Sequence, residues 1–198
     1  LTFLILLLVI IYGNRVRRLF TVYFTLNWLF LFGYWGVYAI IYWARIGPVY
    51  LATFAMTPIL LGLIAAEWIR ECIHPRVDLD FRKIPLWRYW ILLIIVWGFW
   101  YPTYHFAEGF VFQGRDLLFS NFGLMPCPTT MVVLGLFTMK YPVGNRRLFN
   151  LLTTFSLIIG LPTVAAGWIP DVPLIAIGVY GLIMIVVFGR KRKLVNLK

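Results

Sequence analysis

The chain has 198 residues, of which 62% are hydrophobic and only 13% charged, and its mean hydropathy is +0.88. Soluble domains carry about 45–50% apolar and ~25% charged residues, so a soluble globular domain, a disordered chain and a disulfide-stapled secreted module are all excluded. Lys and Arg number 18 against 7 Asp and Glu, a net charge of +11. In a soluble protein that excess would point to nucleic acid. In an integral membrane protein it marks cytoplasmic loops, and no nucleic-acid partner is expected.

A helix needs about 20 apolar residues to cross the ~30 Å of hydrocarbon in a bilayer. Seven candidate spans appear in chain order. The first, residues 1–12, is short and ends at Gly13-Asn14, a helix-stop pair. With no basic n-region and no small-residue cleavage site, the start reads as the interior of a helix that begins before Leu1, not as a signal peptide. The second span covers about 19–45. The third covers 48–71, opened by Pro48 and interrupted by Pro58. The fourth runs from 86 to 105, the fifth from 126 to 141, the sixth from 148 to 166 and the seventh from 172 to 189. Two connections are long: 72–85 is charged and polar, and 106–125 mixes aromatics with few charges. The whole chain, 1–198, reads as one transmembrane domain of all-α class, a polytopic helical bundle without internal repeats.

With these spans, every one of the 18 Lys and Arg residues except Arg45 and Arg115 falls on one side. The positive-inside rule makes that side cytoplasmic, with the N-terminus outside and the C-terminus inside. The basic side would also meet anionic lipid headgroups. Cys72 and Cys127 fall on opposite sides, which excludes a disulfide between them. Aromatic belts are expected at the headgroup boundaries: Trp43, Trp97, Trp100, Tyr101, Tyr104 and Trp168 outside, and Trp68, Trp87, Trp90 and Tyr141 inside.

Ionisable residues deep in a span are costly and flag function. Glu67 is the deepest by this reading. With Arg70 at i+3, it reads as an interfacial ion pair, or more sharply as a proton or cation site. Asn27, Thr21, Thr25, Thr53 and Thr57 are expected to bond between helices. Ser156 with Gly160, Gly178 with Gly181, and Ala52 with Ala55 are expected at close helix contacts. His74 and His105 lie at opposite faces, which disfavours a haem held between helices, and no span carries a central Lys for a retinal Schiff base. No metal, nucleotide or hydrolase motif is present, so no cofactor, metal or catalytic residue is assigned.

One constellation stands out on the outer side. Gly123-Leu124-Met125-Pro126-Cys127-Pro128-Thr129-Thr130 precedes a short apolar run. Pro128 suits the first position of a helix, which puts Cys127 near its cap. From Pro128 to Tyr141 such a helix would rise only ~21 Å. It would therefore begin below the surface, with residues 117–127 dipping in as a re-entrant or interfacial segment. Cys127, Thr129, Thr130, His105 and Glu108 are the candidate lining of an outward-facing pocket. The alternative is a proline-shaped helix start around an inert Cys127.

The Gly-x-x-Pro-Cys-Pro-Thr-Thr segment, the stretch LLTTFSLIIGLPTVAAGWIPD and the upstream VYLATFAMTPILLGLIAAEW together resemble a bacterial family of multi-pass membrane proteins known only as a domain of unknown function. The resemblance implies an all-helical protein of the bacterial inner membrane and carries no activity, cofactor or catalytic residue. The leading functional expectation is a non-catalytic accessory subunit packed against other membrane subunits of a larger complex. The alternative is a carrier, channel or sensor for a small solute or lipid that uses the outer pocket. A membrane enzyme with Cys127 as nucleophile and His105 as base is a third reading.

Overall fold

A computed structural model describes residues 2–42, 48–81, 84–105, 109–111, 114 and 121–195, with side chains apart from those of 3, 42, 48–54, 103–105 and 189–195. Seven α-helices are described: α1 Thr2–Tyr12, α2 Arg17–Tyr42, α3 Pro48–Ile73, α4 Ile91–Phe99, α5 Pro126–Met139, α6 Arg146–Ala165 and α7 Val172–Val195. The described chain is thus mostly helical. One two-stranded antiparallel pair interrupts the pattern, with β1 (Thr103–His105) and β2 (Gly109–Val111) in register Tyr104 to Phe110.

Most helix ends fall within two or three residues of the sequence expectation, but the fourth span does not. Instead of one helix over 86–105, a single 3-10 turn at Leu86–Arg88 leads into the nine-residue α4, and the chain then extends into β1. Pro102 disfavours helical backbone at Tyr101 and ends the helix. At the other end the Arg88 guanidinium donates to the carbonyls of Met139 (3.0 Å) and Tyr141 (2.6 Å), which ties this turn to the exit of α5. The start of α5 differs too: Pro126 takes the first helical position, Met125 is the cap, and Cys127 lies inside the first turn. Of the supposed dipping segment 117–127, residues 117–120 lie outside the described residues. Residues 121–125 form a turn pinned to α2, where Asn27 Nδ2 donates to Gly123 O (3.1 Å) and Trp35 Nε1 to Leu124 O (2.8 Å).

Small residues set how the helices pair. Gly36 faces Pro58 and Gly62 faces Phe32, while Thr25 Oγ1 donates to Trp68 O at 2.9 Å, so α2 and α3 run antiparallel. Gly98 lies against Pro128 and Met131 while Gly135 meets Ile95 and Ile91, which pairs α4 with α5. Gly160 meets Leu174 and Ile175, Gly178 meets Ser156, and Gly181 meets Thr153, which pairs α6 with α7. Without side chains at these points the backbones approach closely, and in lipid such packing, not expulsion of water, holds helices together. Between α1 and α2 the chain turns at Gly13, whose φ of +55° suits glycine. There α1 folds back, and Thr2 hydrogen-bonds to Tyr23 of α2.

This alternation gathers α2, α4 and α6 exits and α3, α5 and α7 entries at one end. The opposite end carries most of the charge. There Glu71, 1% exposed, accepts the backbone N–H of Arg76 and Val77 and, on its other oxygen, Asn145 Nδ2 at 2.8 Å. Asn145 in turn caps α6 by accepting from Leu148 N. Asn14 bonds both Asp78 and the Leu79 amide, and Lys140 pairs with Asp78 at 3.0 Å. The polar segment 74–80 is therefore a tied strap between α3 and the entry to α4.

Inside lies an aromatic core. Trp68 stacks on Phe24 with centroids 5.2 Å apart, and Trp28 meets Phe155 edge-on. Trp68, Tyr101 and Tyr141 are buried within the protein, each ring filling a gap between helices. Trp87 and Trp90 do remain exposed. The outward faces are apolar as well: Ile10, Ile40 and Leu93 are 66%, 70% and 74% exposed. In water such surface would drive aggregation; in hydrocarbon it is solvated. Among the described residues three stretches are long and apolar enough to cross a membrane, Leu4–Ile41, Arg146–Ala165 and Ile169–Phe188. The helices ending at Phe99 and Met139 are shorter apolar segments.

Candidate functional site

The site sits at the end opposite the basic strap, and its local structure starts from the exit of α6. Gly167, with φ +91°, follows the last helical turn. Its N–H donates to Val164 O and the N–H of Trp168 donates back to Thr163 O, both at 2.9 Å. This is the paired bonding of a Schellman C-cap, which needs a left-handed residue at that position. Pro170 then stops any continuation, and a single 3-10 turn at Ile169–Asp171 leads into α7. Trp97 of α4 clamps that turn by donating to Pro170 O at 3.0 Å.

The turn places Asp171 inside the protein, 1% exposed. Tyr101 Oη donates to its Oδ1 at 2.7 Å, Thr163 Oγ1 reaches its Oδ2 at 2.8 Å, and the Cys127 thiol is a third hydrogen-bond partner. Trp168 Nε1 donates to Tyr101 Oη at 2.5 Å, which leaves the phenol proton for Asp171. A carboxylate removed from water is tolerated only among such donors. Thr163 carries one proton for two acceptors, since Gly160 O lies 3.0 Å from the same oxygen.

Beside this cluster is a cavity of about 290 Å³. Its walls include Trp35, Tyr38 and Ala39 of α2, Phe155 and Ile159 of α6, and Pro126 of α5. Tyr101, Cys127, Thr163, Trp168 and Asp171 form its polar part. An apolar chamber with a few convergent polar groups is the usual form of a small-molecule site.

Of the residues expected to build an outer pocket, Cys127 lines the cavity. Thr129 and Thr130 do not; both are fully buried and serve the backbone. Thr129 Oγ1 donates to Met125 O and accepts from Gly123 N, and Thr130 Oγ1 donates to Pro126 O. His105 is the last residue of β1 and its side chain lies outside the described residues, as does Glu108 altogether. Cys127 and Cys72 are both free thiols. The described partner of Cys127 is a carboxylate, an acceptor, so the S–H serves this network as a donor. Among the described residues no three His, Cys, Asp or Glu side chains gather where a metal ion could be held.

Glu67 is buried, 8% exposed, but two other carboxylates are more so. It pairs with Arg70 at 2.5 Å, while Glu71 and Asp171 are each 1% exposed. An Asp just before a helix has the local pattern of a cap; the Asp171 side chain turns instead toward Tyr101 and Thr163. The run Gly167-Trp168-Ile169-Pro170-Asp171 is the available signal, a helix stop and a helix start joined by a single short turn.

Comparison with protein-family models, with curated proteins and with solved structures returns no match.

Proposed function

We propose that this chain is a multi-pass protein of the bacterial inner membrane, crossing seven times with its N-terminus outside and its basic end in the cytoplasm, and that it binds a small amphiphilic solute or lipid in the cavity beside Cys127 and Asp171. It acts as a carrier, channel or sensor for that molecule. The observation that carries the reading is Asp171, a carboxylate kept in the wall of an otherwise apolar chamber. Simple helix packing does not call for one, because replacing buried charge with apolar groups is often neutral or stabilising. The seven crossings rest on the segregation of basic residues, and the bacterial location on the resemblance of the Pro-Cys-Pro-Thr-Thr segment.

An accessory subunit of a larger complex remains a second role for the exposed helix faces, but hydrocarbon accounts for those faces equally well. One experiment separates the two. The full chain is purified from native membranes and the small molecules retained are extracted and identified by mass spectrometry, beside Ala39→Trp, which fills the cavity from α2. A retained molecule present in the wild type and absent from the variant supports the binding reading. An empty wild-type cavity together with a stoichiometric partner chain refutes it in favour of the accessory role.

A further inference from the structure

A second cavity, about 280 Å³, lies at the basic end between α3 and α6. Arg70, His74, Arg76 and Arg147 surround it, with Glu67, Glu71 and Asn145 also in its lining. The two carboxylates are already engaged. Glu71 takes two backbone N–H groups and the Asn145 amide, and Glu67 takes Arg70. Arg76 and Arg147 are exposed, and neither guanidinium is ion-paired among the described residues. The cavity therefore faces two unmatched guanidinium groups, the free side of Arg70 and the His74 imidazole.

Helix geometry adds to this charge. Arg147 is in the first turn of the 20-residue α6, whose opening amides have no partner inside the helix. Asn145 satisfies only Leu148 N with its side chain. A helix start of this length attracts anions, and arginines that converge on it match phosphate oxygens in pairs. The tied strap supports the arrangement, since Glu71 fixes the backbone of Arg76 while Asn145 fixes the start of the helix that carries Arg147. A cation would meet two committed carboxylates and three arginines, so the cavity does not suit one.

We infer that this cavity is a binding site for a phosphate group, carried either by the free anion or by the headgroup of an anionic phospholipid. It is separate from the apolar chamber at the other end, and its fate does not depend on what that chamber binds.

The test uses the full chain in a neutral detergent, with thermal unfolding followed at constant ionic strength. It is titrated with inorganic phosphate, with dihexanoyl phosphatidylglycerol and with dihexanoyl phosphatidylcholine. A saturable rise in Tm is expected with phosphate or with the glycerol lipid, and not with the choline lipid. Saturation by phosphate assigns a free anion; saturation by the glycerol lipid alone assigns a headgroup. Affinity falls about tenfold for each arginine lost in Arg76→Gln/Arg147→Gln, and is unchanged in Arg15→Gln/Arg18→Gln, which removes as much charge elsewhere. Arg147→Lys keeps the charge but not the paired donation, and is expected to bind more weakly than wild type. The inference is overturned by the absence of any saturable rise, by equal response to the choline lipid, or by equal loss in the two double variants. If the double variant at the cavity cannot be purified, wild-type affinity in Arg147→Lys overturns it equally.

Discussion

Tyr101 donates its phenol proton to Asp171 across 2.7 Å, joining the segment that follows α4 to the turn that precedes α7. Both residues are buried, and Trp168 holds the phenol oxygen from the other side. Tyr101→Phe removes one of the donors to the carboxylate and strands the indole N–H. The variant is expected to lose about 1–3 kcal/mol of stability, measured by denaturant or thermal unfolding in detergent. Phe110→Leu, which removes an edge-on ring contact with Trp168 but no hydrogen bond, should cost less.

Among the described glycines, Gly144 leaves the least room for a side chain. A Cβ there would lie 1.8 Å from the carbonyl oxygen of Arg76. Gly144→Ala must push the α5–α6 turn away from the strap and separate Asn145 from Glu71. The expected outcome is failure to fold or a loss above about 3 kcal/mol. Gly33→Ala is the contrast: nothing lies within 4 Å of its Cβ position, so helix propensity alone predicts a gain of up to about 1 kcal/mol.

The α6–α7 seam makes a paired prediction. A Cβ on Gly178 would lie 2.2 Å from Ser156 Oγ and 3.0 Å from a Leu157 methyl carbon. Gly178→Ala is expected to destabilise the pair, and adding Ser156→Ala should recover part of the loss because the closest obstacle is then gone. Additive losses in the double-mutant cycle would contradict direct contact between these positions.

Asp78 gives the strap a dependence on pH. Partial burial pushes its carboxyl up, but hydrogen bonds from Asn14 and the Asp80 amide and the nearby Lys140 ammonium outweigh burial and leave it below the ordinary value. A depressed carboxyl stabilises fully above its unfolded value, about 3.9, and the contribution fades as pH falls from there through the lower folded value. Carbon-13 NMR titration of the carboxyl in micelles should show a midpoint below the ordinary one. Lys140→Met should move it upward. Because the Asp78 side chain is 48% exposed, added salt should shrink the difference.

Much of this architecture is legible in the chain. Helix ends at Gly13-Asn14 and Pro48 follow from residues that act on their own neighbours through dihedral preference. The close contacts of Gly160, Gly178 and Gly181 follow from the small-residue spacing. What escaped is non-local. That Trp68 and Tyr101 are buried inside the protein depends on which helix faces them, and an aromatic near a span end carries the same local pattern whether buried or exposed. Arg88 reads as one more cytoplasmic cation, yet its bonds to Met139 and Tyr141 cross 51 and 53 residues. At the candidate site, Cys127 was visible through its unusual proline frame. Tyr101, Thr163 and Asp171 were not, because their association exists only once α4, α6 and α7 have been brought to a common end.

That association makes Asp171 a shared hub. One carboxyl group ties down the termini of three helices and the tail of a fourth, so neutralising or displacing it slackens every one of them in a single event. A guest that competes for its donors would be felt throughout the assembly, without any dedicated relay between distant parts.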